Sequence, residues 1–198
     1  GYYVTWSGQY EYMQRAAEKM RVVVPVTLAL IFLLLYLNFR RVTESLIVML
    51  SVPFALVGGI WLMWMLDYNT SVAVIVGFIA LAGVAAETGV VMLIYLDHAL
   101  EARAAQRQAE GRALDARDLR EAIIEGAVDR VRPKMMTVVA IMAGLLPIMW
   151  SSGTGSEVMR RIAAPLVGGM VSSTVLTLVV IPALYSLIKQ RQLARKKL

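Results

Sequence analysis

The 198-residue chain has no cysteine and a single histidine, His98. The first absence excludes a disulfide framework and thiolate metal sites, and the second excludes a site built from several histidines. Charge is also scarce. Asp, Glu, Lys and Arg make up 17% of residues against 59% hydrophobic ones, and mean hydropathy is +0.65. Soluble domains average nearer half apolar and lack long uncharged runs. Here the runs 22–39, 46–66, 72–96, 135–150 and 162–188 hold one charged residue between them. Each approaches or exceeds the ~17–25 residues that a spanning helix needs at ~1.5 Å rise. The shortest, 135–150, is extended by Pro133, Lys134 and Ser151. The runs are apolar all round, as spanning helices are. They are too long and too rich in Leu, Val and Gly for barrel strands.

The fold expected is an all-α membrane protein with five transmembrane helices, at 22–39, 46–66, 72–96, 133–150 and 162–188. The chain opens on Gly1-Tyr2-Tyr3-Val4-Thr5-Trp6, without an initiator Met or a signal-peptide pattern. It therefore reads as a piece of something longer. Five spans put the two ends on opposite sides. Fifteen of the twenty Lys and Arg residues fall with the C-terminal side: Arg40 and Arg41, the segment 97–134, and the tail 189–198. The positive-inside rule makes that side cytoplasmic and the N-terminus periplasmic. The net charge of +6 is then topology, and no nucleic-acid partner is expected.

The connections follow. Residues 1–21 read as the end of a periplasmic region and a helical lead-in, with Pro25 tolerated early in the first span. Asn38–Thr43 and Asp67–Thr70 are tight turns. Residues 151–161 form a Gly/Ser-rich periplasmic loop, and 189–198 a basic cytoplasmic tail. Residues 97–132 make a cytoplasmic loop. Within it Leu119, Ile123, Ala127 and Val131 recur at steps of four, predicting an amphipathic helix over 118–131 on the inner membrane surface, with Asp118 and Glu121 as its capping box. Residues 102–117 read as a helical extension with a turn at Gly111, or as a solvated linker.

Glu87 is the one charged residue among the apolar runs. A carboxylate at bilayer depth costs roughly 2.5–3.5 kcal/mol or more, and such groups mark ion or proton paths. Burial raises its pKa, which suits a proton relay. The competing reading is a neutral carboxyl that holds helices together by one hydrogen bond. Lys134, at the inner end of the fourth span, is the candidate partner, or else snorkels to the headgroups. Glu87 lies about 13 Å by helical rise from the inner end of its own span. Met159 stands between Val158 and Arg160 at the outer mouth of the last span. Its thioether is a soft ligand suited to Cu(I) or Ag(I), or simply packs. Gly58-Gly59 and Gly168-Gly169 read as close helix-packing patches. Arg160 and Arg161 are either anchors or cleft residues, and His98 is interfacial.

Several runs together resemble one family. Val52-Pro53-Phe54-Ala55-Leu56-Val57-Gly58-Gly59, Gly77-Phe78-Ile79-Ala80-Leu81-Ala82-Gly83, Arg130-Val131-Arg132-Pro133-Lys134-Met135-Met136-Thr137 and Gly144-Leu145-Leu146-Pro147 resemble the C-terminal half of resistance–nodulation–division (RND) inner-membrane pumps. Ala85–Leu93 and Gly155–Pro165 resemble its heavy-metal, Cus-type branch, which exports Cu(I) and Ag(I). The resemblance implies a twelve-span homotrimer with two large periplasmic domains, joined to a periplasmic adaptor and an outer-membrane channel. It implies a proton relay through Glu87 and Lys134, completed by a fourth-span aspartate that this chain lacks. It also implies a place for Met159 on a stepwise metal path. No catalytic chemistry and no cofactor are expected, with Cu(I) or Ag(I) as cargo. The N-terminal half of the same transporter and the lipid bilayer are the expected partners. Two alternatives remain: an RND exporter of zinc, cobalt, nickel or drugs, and a non-transporting membrane scaffold.

Overall fold

The computed structural model describes residues 8–112 and 114–196, and almost all of them are helical. The elements are α1 (Gln9–Phe39), α2 (Val42–Met65), α3 (Val72–Ala109), α4 (Ala116–Trp150) and α5 (Ser156–Val175). A π-turn (Leu176–Val180) then leads into α6 (Ile181–Lys196). Five stretches are long and apolar enough to cross a membrane: Ala17–Phe39, Val42–Met65, Val72–Ala109, Ala116–Trp150 and Ser156–Leu193. Residues to Leu46 and residues from Ile47 form two separate units.

In the first unit the charged lead-in and the first span are one helix, α1. It ends at Arg40, whose left-handed backbone (φ 52°) lets its N–H bond Tyr36 O at 2.8 Å. Such a C-terminal cap satisfies one of the carbonyls a helix end leaves open.

In the second unit α3 packs against α4, α5 and α6. Its buried positions Leu81, Ala85, Thr88, Gly89, Met92 and Leu96 recur at steps of three and four, one face of a helix. Small residues allow the closest crossings. A Cβ on Gly58 would strike Gly168 O, and one on Gly168 would strike Gly58 O, so α2 and α5 meet backbone to backbone. Ser172 reinforces that crossing: its Oγ accepts from Gly58 N at 3.2 Å and donates to Ala55 O at 2.7 Å. Gly77 lets α3 approach Ile162 O of α5, and Gly126 lets α4 approach Tyr95 O of α3. Outward, Val171, Val175 and Val179 are between 57% and 62% exposed, a stripe suited to lipid.

Two expectations about the 97–132 segment need correction. The helix at 118–131 is not a separate element. It is the first half of α4, which runs unbroken from Ala116 through Pro133 to Trp150. Pro133 removes a single N–H donor, and the Ala-, Arg- and Glu-rich turns before it favour helix strongly enough to carry through. Leu119, Ala122, Ile123 and Gly126 are buried on α4, the last of them against α3, which itself extends to Ala109. The capping box is Asp115 with Asp118, one turn earlier than the Asp118–Glu121 reading. Asp115 accepts from Ala116 N at 2.7 Å and Asp118 Oδ2 accepts from Asp115 N at 3.1 Å. The turn between the two helices passes through Gly111 at φ 69°.

The hairpin so formed is clasped by charge. Arg107 donates to Asp118 Oδ1 from Nη2 at 2.6 Å and from Nε at 2.9 Å. Arg103 lies 3.2 Å from Glu121 and 3.6 Å from Glu125. The Arg107 hydrogen bonds hold the Asp118 carboxyl below the usual carboxylate range, helped by the Asp115 backbone N–H.

Candidate functional site

Lys134 is fully buried on α4, and its Nζ has no hydrogen-bond partner among the described residues. Taking an ammonium out of water costs several kcal/mol unless a counter-charge offsets it. Arg130, one turn earlier on α4, opposes its charge more strongly than Glu87 of α3 favours it. The structure places the two sequence candidates on neighbouring helices, with no hydrogen bond from the lysine among the described residues.

Glu87 lies off the buried face of α3 and is exposed, so the burial expected of it from the sequence is not found, because its position on the helix turns it away from α4, α5 and α6. One turn before it, Gly83 has open space where a side chain would stand. The neighbouring hydroxyl does not serve it: Thr88 Oγ1 donates to Val84 O at 2.9 Å and Ala85 O at 3.1 Å on its own helix. The two candidates are thus an exposed carboxylate on α3 and a buried ammonium on α4. Such a pair can change its mutual attraction by gaining or losing one proton.

Met159 sits elsewhere. It is in the first turn of α5, after Gly155 at φ 87°, and is 49% exposed. Trp150, where α4 ends before this loop, is sixteen residues or ~24 Å by rise from Lys134. The two neighbouring arginines are engaged with the loops at this end. Arg160 Nη2 donates to Ser151 O, and the Arg161 guanidinium lies 5.9 Å from the Tyr68 ring centroid. Met63 and Met149 pack with Val74, Ala164, Tyr68 and Phe78 in an apolar cluster. No group of three or more His, Cys, Asp or Glu side chains converges among the described residues. The soft thioether is the ligand chemistry this end offers.

A family model described as the AcrB/AcrD/AcrF family matches residues 1–189. The chain belongs to that family. Within AcrB/AcrD/AcrF, it is similar to heavy-metal members of the Cus type. It is 57% identical over 184 residues to "Cation efflux system protein CusA" of Escherichia coli (strain K12), covering 93% of this chain and 17% of the relative. Against "Putative cation efflux system protein SilA" of Salmonella typhimurium it is 54% identical over 189 residues, 96% of this chain and 18% of the relative. "Cobalt-zinc-cadmium resistance protein CzcA" of Cupriavidus metallidurans is 42% identical over 187 residues, covering 94% of this chain and 16% of the relative. A crystal structure of a heavy metal efflux pump matches 94% of this chain and 17% of its own, with TM-score 0.78 and 35% identity. The chain spans less than a fifth of the length of these relatives.

The likeness to AcrB/AcrD/AcrF transporters and the five long apolar stretches make this a multi-pass membrane protein of a transporter family. Sequence reasoning missed one polar cluster, formed by Asp97 with Tyr185 and Lys189. The available signal was the four-residue spacing of Tyr185 and Lys189, which puts both on one helix face.

Proposed function

We propose that the chain is the C-terminal membrane portion of a proton-driven Cu(I)/Ag(I) efflux pump of the RND superfamily, a secondary transporter without catalytic chemistry. It lies in the bacterial inner membrane with its N-terminus periplasmic and its C-terminus cytoplasmic, as the bias of basic residues supports. The observation that carries the reading is Lys134, fully buried and with no hydrogen-bond partner for its Nζ among the described residues, on the helix that packs against the one bearing Glu87, the lone carboxylate of the apolar runs.

The mechanism follows from charge. Ionised, Glu87 is drawn toward Lys134 and lowers the cost of burying that ammonium. Protonated from the periplasmic side, it loses the attraction, and α3 relaxes relative to α4. Release of the proton inward restores the first arrangement. Each cycle thus converts a proton's passage into a displacement of α3, which the close α3–α5 crossing at Gly77 passes to the helix bearing Met159. The open space at Gly83 and the exposed Glu87 suit a further helix from the N-terminal half, whose fourth-span aspartate completes the relay in related pumps. The working assembly is then a homotrimer joined to a periplasmic adaptor and an outer-membrane channel. Met159 supplies a thioether on the metal path, which favours Cu(I) or Ag(I) over harder ions.

The likeness to CzcA supports one other cargo, a divalent ion such as zinc, cobalt or cadmium. Transport by the full-length parent protein in vesicles separates the two. With a proton gradient imposed, Ag(I) or Cu(I) movement accompanied by counter-movement of protons is expected, with little Zn(II) movement. Zn(II) transport without Ag(I) or Cu(I) transport would overturn the cargo assignment. Metal movement indifferent to the gradient would overturn the coupling.

A further inference from the structure

A second polar cluster lies further along the helix that carries Glu87. Asp97 is the first charged residue after the apolar run of α3, ten positions past Glu87. Its Oδ1 accepts a hydrogen bond from the Tyr185 hydroxyl of α6 and lies 3.7 Å from Lys189 Nζ on the same helix. Lys189 Nζ also stands 4.9 Å from the Tyr185 ring centroid. Tyr185 is 1% exposed and Lys189 6%. A part-buried carboxylate that serves both a phenol and an ammonium makes charge-assisted bonds, stronger than an exposed ion pair.

The helix it grips is set apart from α5. Pro182 has no N–H, and its ring would crowd the carbonyl of Leu178 in a regular α-helix. The chain opens into the five-residue π-turn Leu176–Val180 just before it. On one side of that turn α5 is pinned to α2 through Gly58, Gly168 and Ser172. On the other side α6 meets α3 twice: Ile181 lies against Gly89, two residues past Glu87, and Tyr185 and Lys189 hold Asp97.

We propose that Asp97, Tyr185 and Lys189 form a positioning lock that ties α6 to α3 beyond the π-turn, and so sets the balance between the arrangements of α3 through which Glu87 works. The inference rests on the reading of Glu87 as the coupling carboxylate. Among the described residues, these are the charged and titratable groups that face this part of α3 from neighbouring helices. From α4 come Lys134 and Arg130, and from α6 Lys189 and Tyr185. α5 carries charge only in its first turns, at Glu157, Arg160 and Arg161, and α2 carries none from Ile47 on. The lock holds one arrangement of α3. Its loss shifts the balance between those arrangements and, with it, the pH dependence of transport.

The test uses the full-length parent protein in vesicles, with Ag(I) as probe and initial transport rate followed against external pH. Wild type is compared with Asp97→Asn, Lys189→Gln, Tyr185→Phe and Asp97→Glu, with Glu87→Gln as reference. Asp97→Asn and Lys189→Gln are expected to lower the rate about tenfold and to move the midpoint of its pH dependence. Asp97→Glu should restore most of both. Tyr185→Phe, which keeps the packed volume, should give a smaller change of the same kind and stands in if the charge variants fail to fold. A wild-type rate and midpoint in Asp97→Asn, or a slower rate at an unchanged midpoint, would overturn the lock while an inactive Glu87→Gln left the coupling reading intact. A Glu87→Gln protein that transports like wild type would remove the coupling reading and the lock with it.

Discussion

Glu87 and Lys134 are the two residues on which the account turns, and they were legible to different degrees. Glu87 announced itself as the one charged residue in five apolar runs. Lys134 did not, because sequence position at the end of a span fits a snorkelling lysine equally well. Its burial depends on how α3 lies along α4, which no local pattern encodes. A buried ammonium with no hydrogen-bond partner among the described residues is a stability cost, so Lys134→Met should leave the purified parent protein as stable or more stable, by about 1–4 kcal/mol, while transport is lost. Thermal unfolding beside vesicle transport checks both halves, and a Lys134→Met protein that unfolds earlier would mean the lysine is structural. Met159 is half exposed, so Met159→Leu should change stability by less than about 0.5 kcal/mol. A partial loss of silver tolerance with unchanged protein level would place the thioether on the metal path. Unchanged tolerance would leave it a surface side chain.

Helix existence was plain from the charge-free runs, whereas helix extent was not. α4 passed through Pro133, where a boundary had been expected, since a single lost N–H does not outweigh good helix-forming turns on either side. The helix expected as a separate element over 118–131 is continuous with the span for the same reason, and part of its buried face, at Gly126, lies against α3. The Asp115–Asp118 cap and the Arg107 clasp belong to that hairpin. Because Arg107 lowers the Asp118 pKa in the folded protein, the contribution of Asp118 is present above the unfolded carboxylate value, about 3.9, and is lost as pH falls through the lower folded value. Asp118→Asn should therefore speed amide exchange at Ala116–Leu119 at pH 7, with wild type approaching the variant only below about pH 4. Equal exchange at pH 7 would show that the clasp holds nothing. The glycine patches at 58 and 168 were correctly suspected as packing sites, but that they face each other emerges only in three dimensions. Gly168→Val should cost about 1–3 kcal/mol in thermal unfolding of the parent, because the added carbons meet a backbone carbonyl that cannot swing away. An unshifted melting temperature would mean that α2 and α5 part easily.

At the scale of the whole molecule, composition alone reached the membrane class, and family motifs reached the heavy-metal branch that the likeness to CusA and SilA shares. The chain covers less than a fifth of those relatives. In the proposed account this portion contributes the carboxylate on α3, the buried ammonium on α4 and the close glycine crossings between helices. The most direct test is silver resistance in an efflux-deficient bacterium carrying the full-length parent gene, compared with Glu87→Gln and Glu87→Asp at matched protein levels. Resistance with wild type, much of it kept by Glu87→Asp and none by Glu87→Gln, is the expected result, because only a titratable group can take and release the proton. Full resistance with Glu87→Gln would contradict the account, leaving the carboxylate a structural hydrogen-bonding group and the helix pair without a proton to drive it.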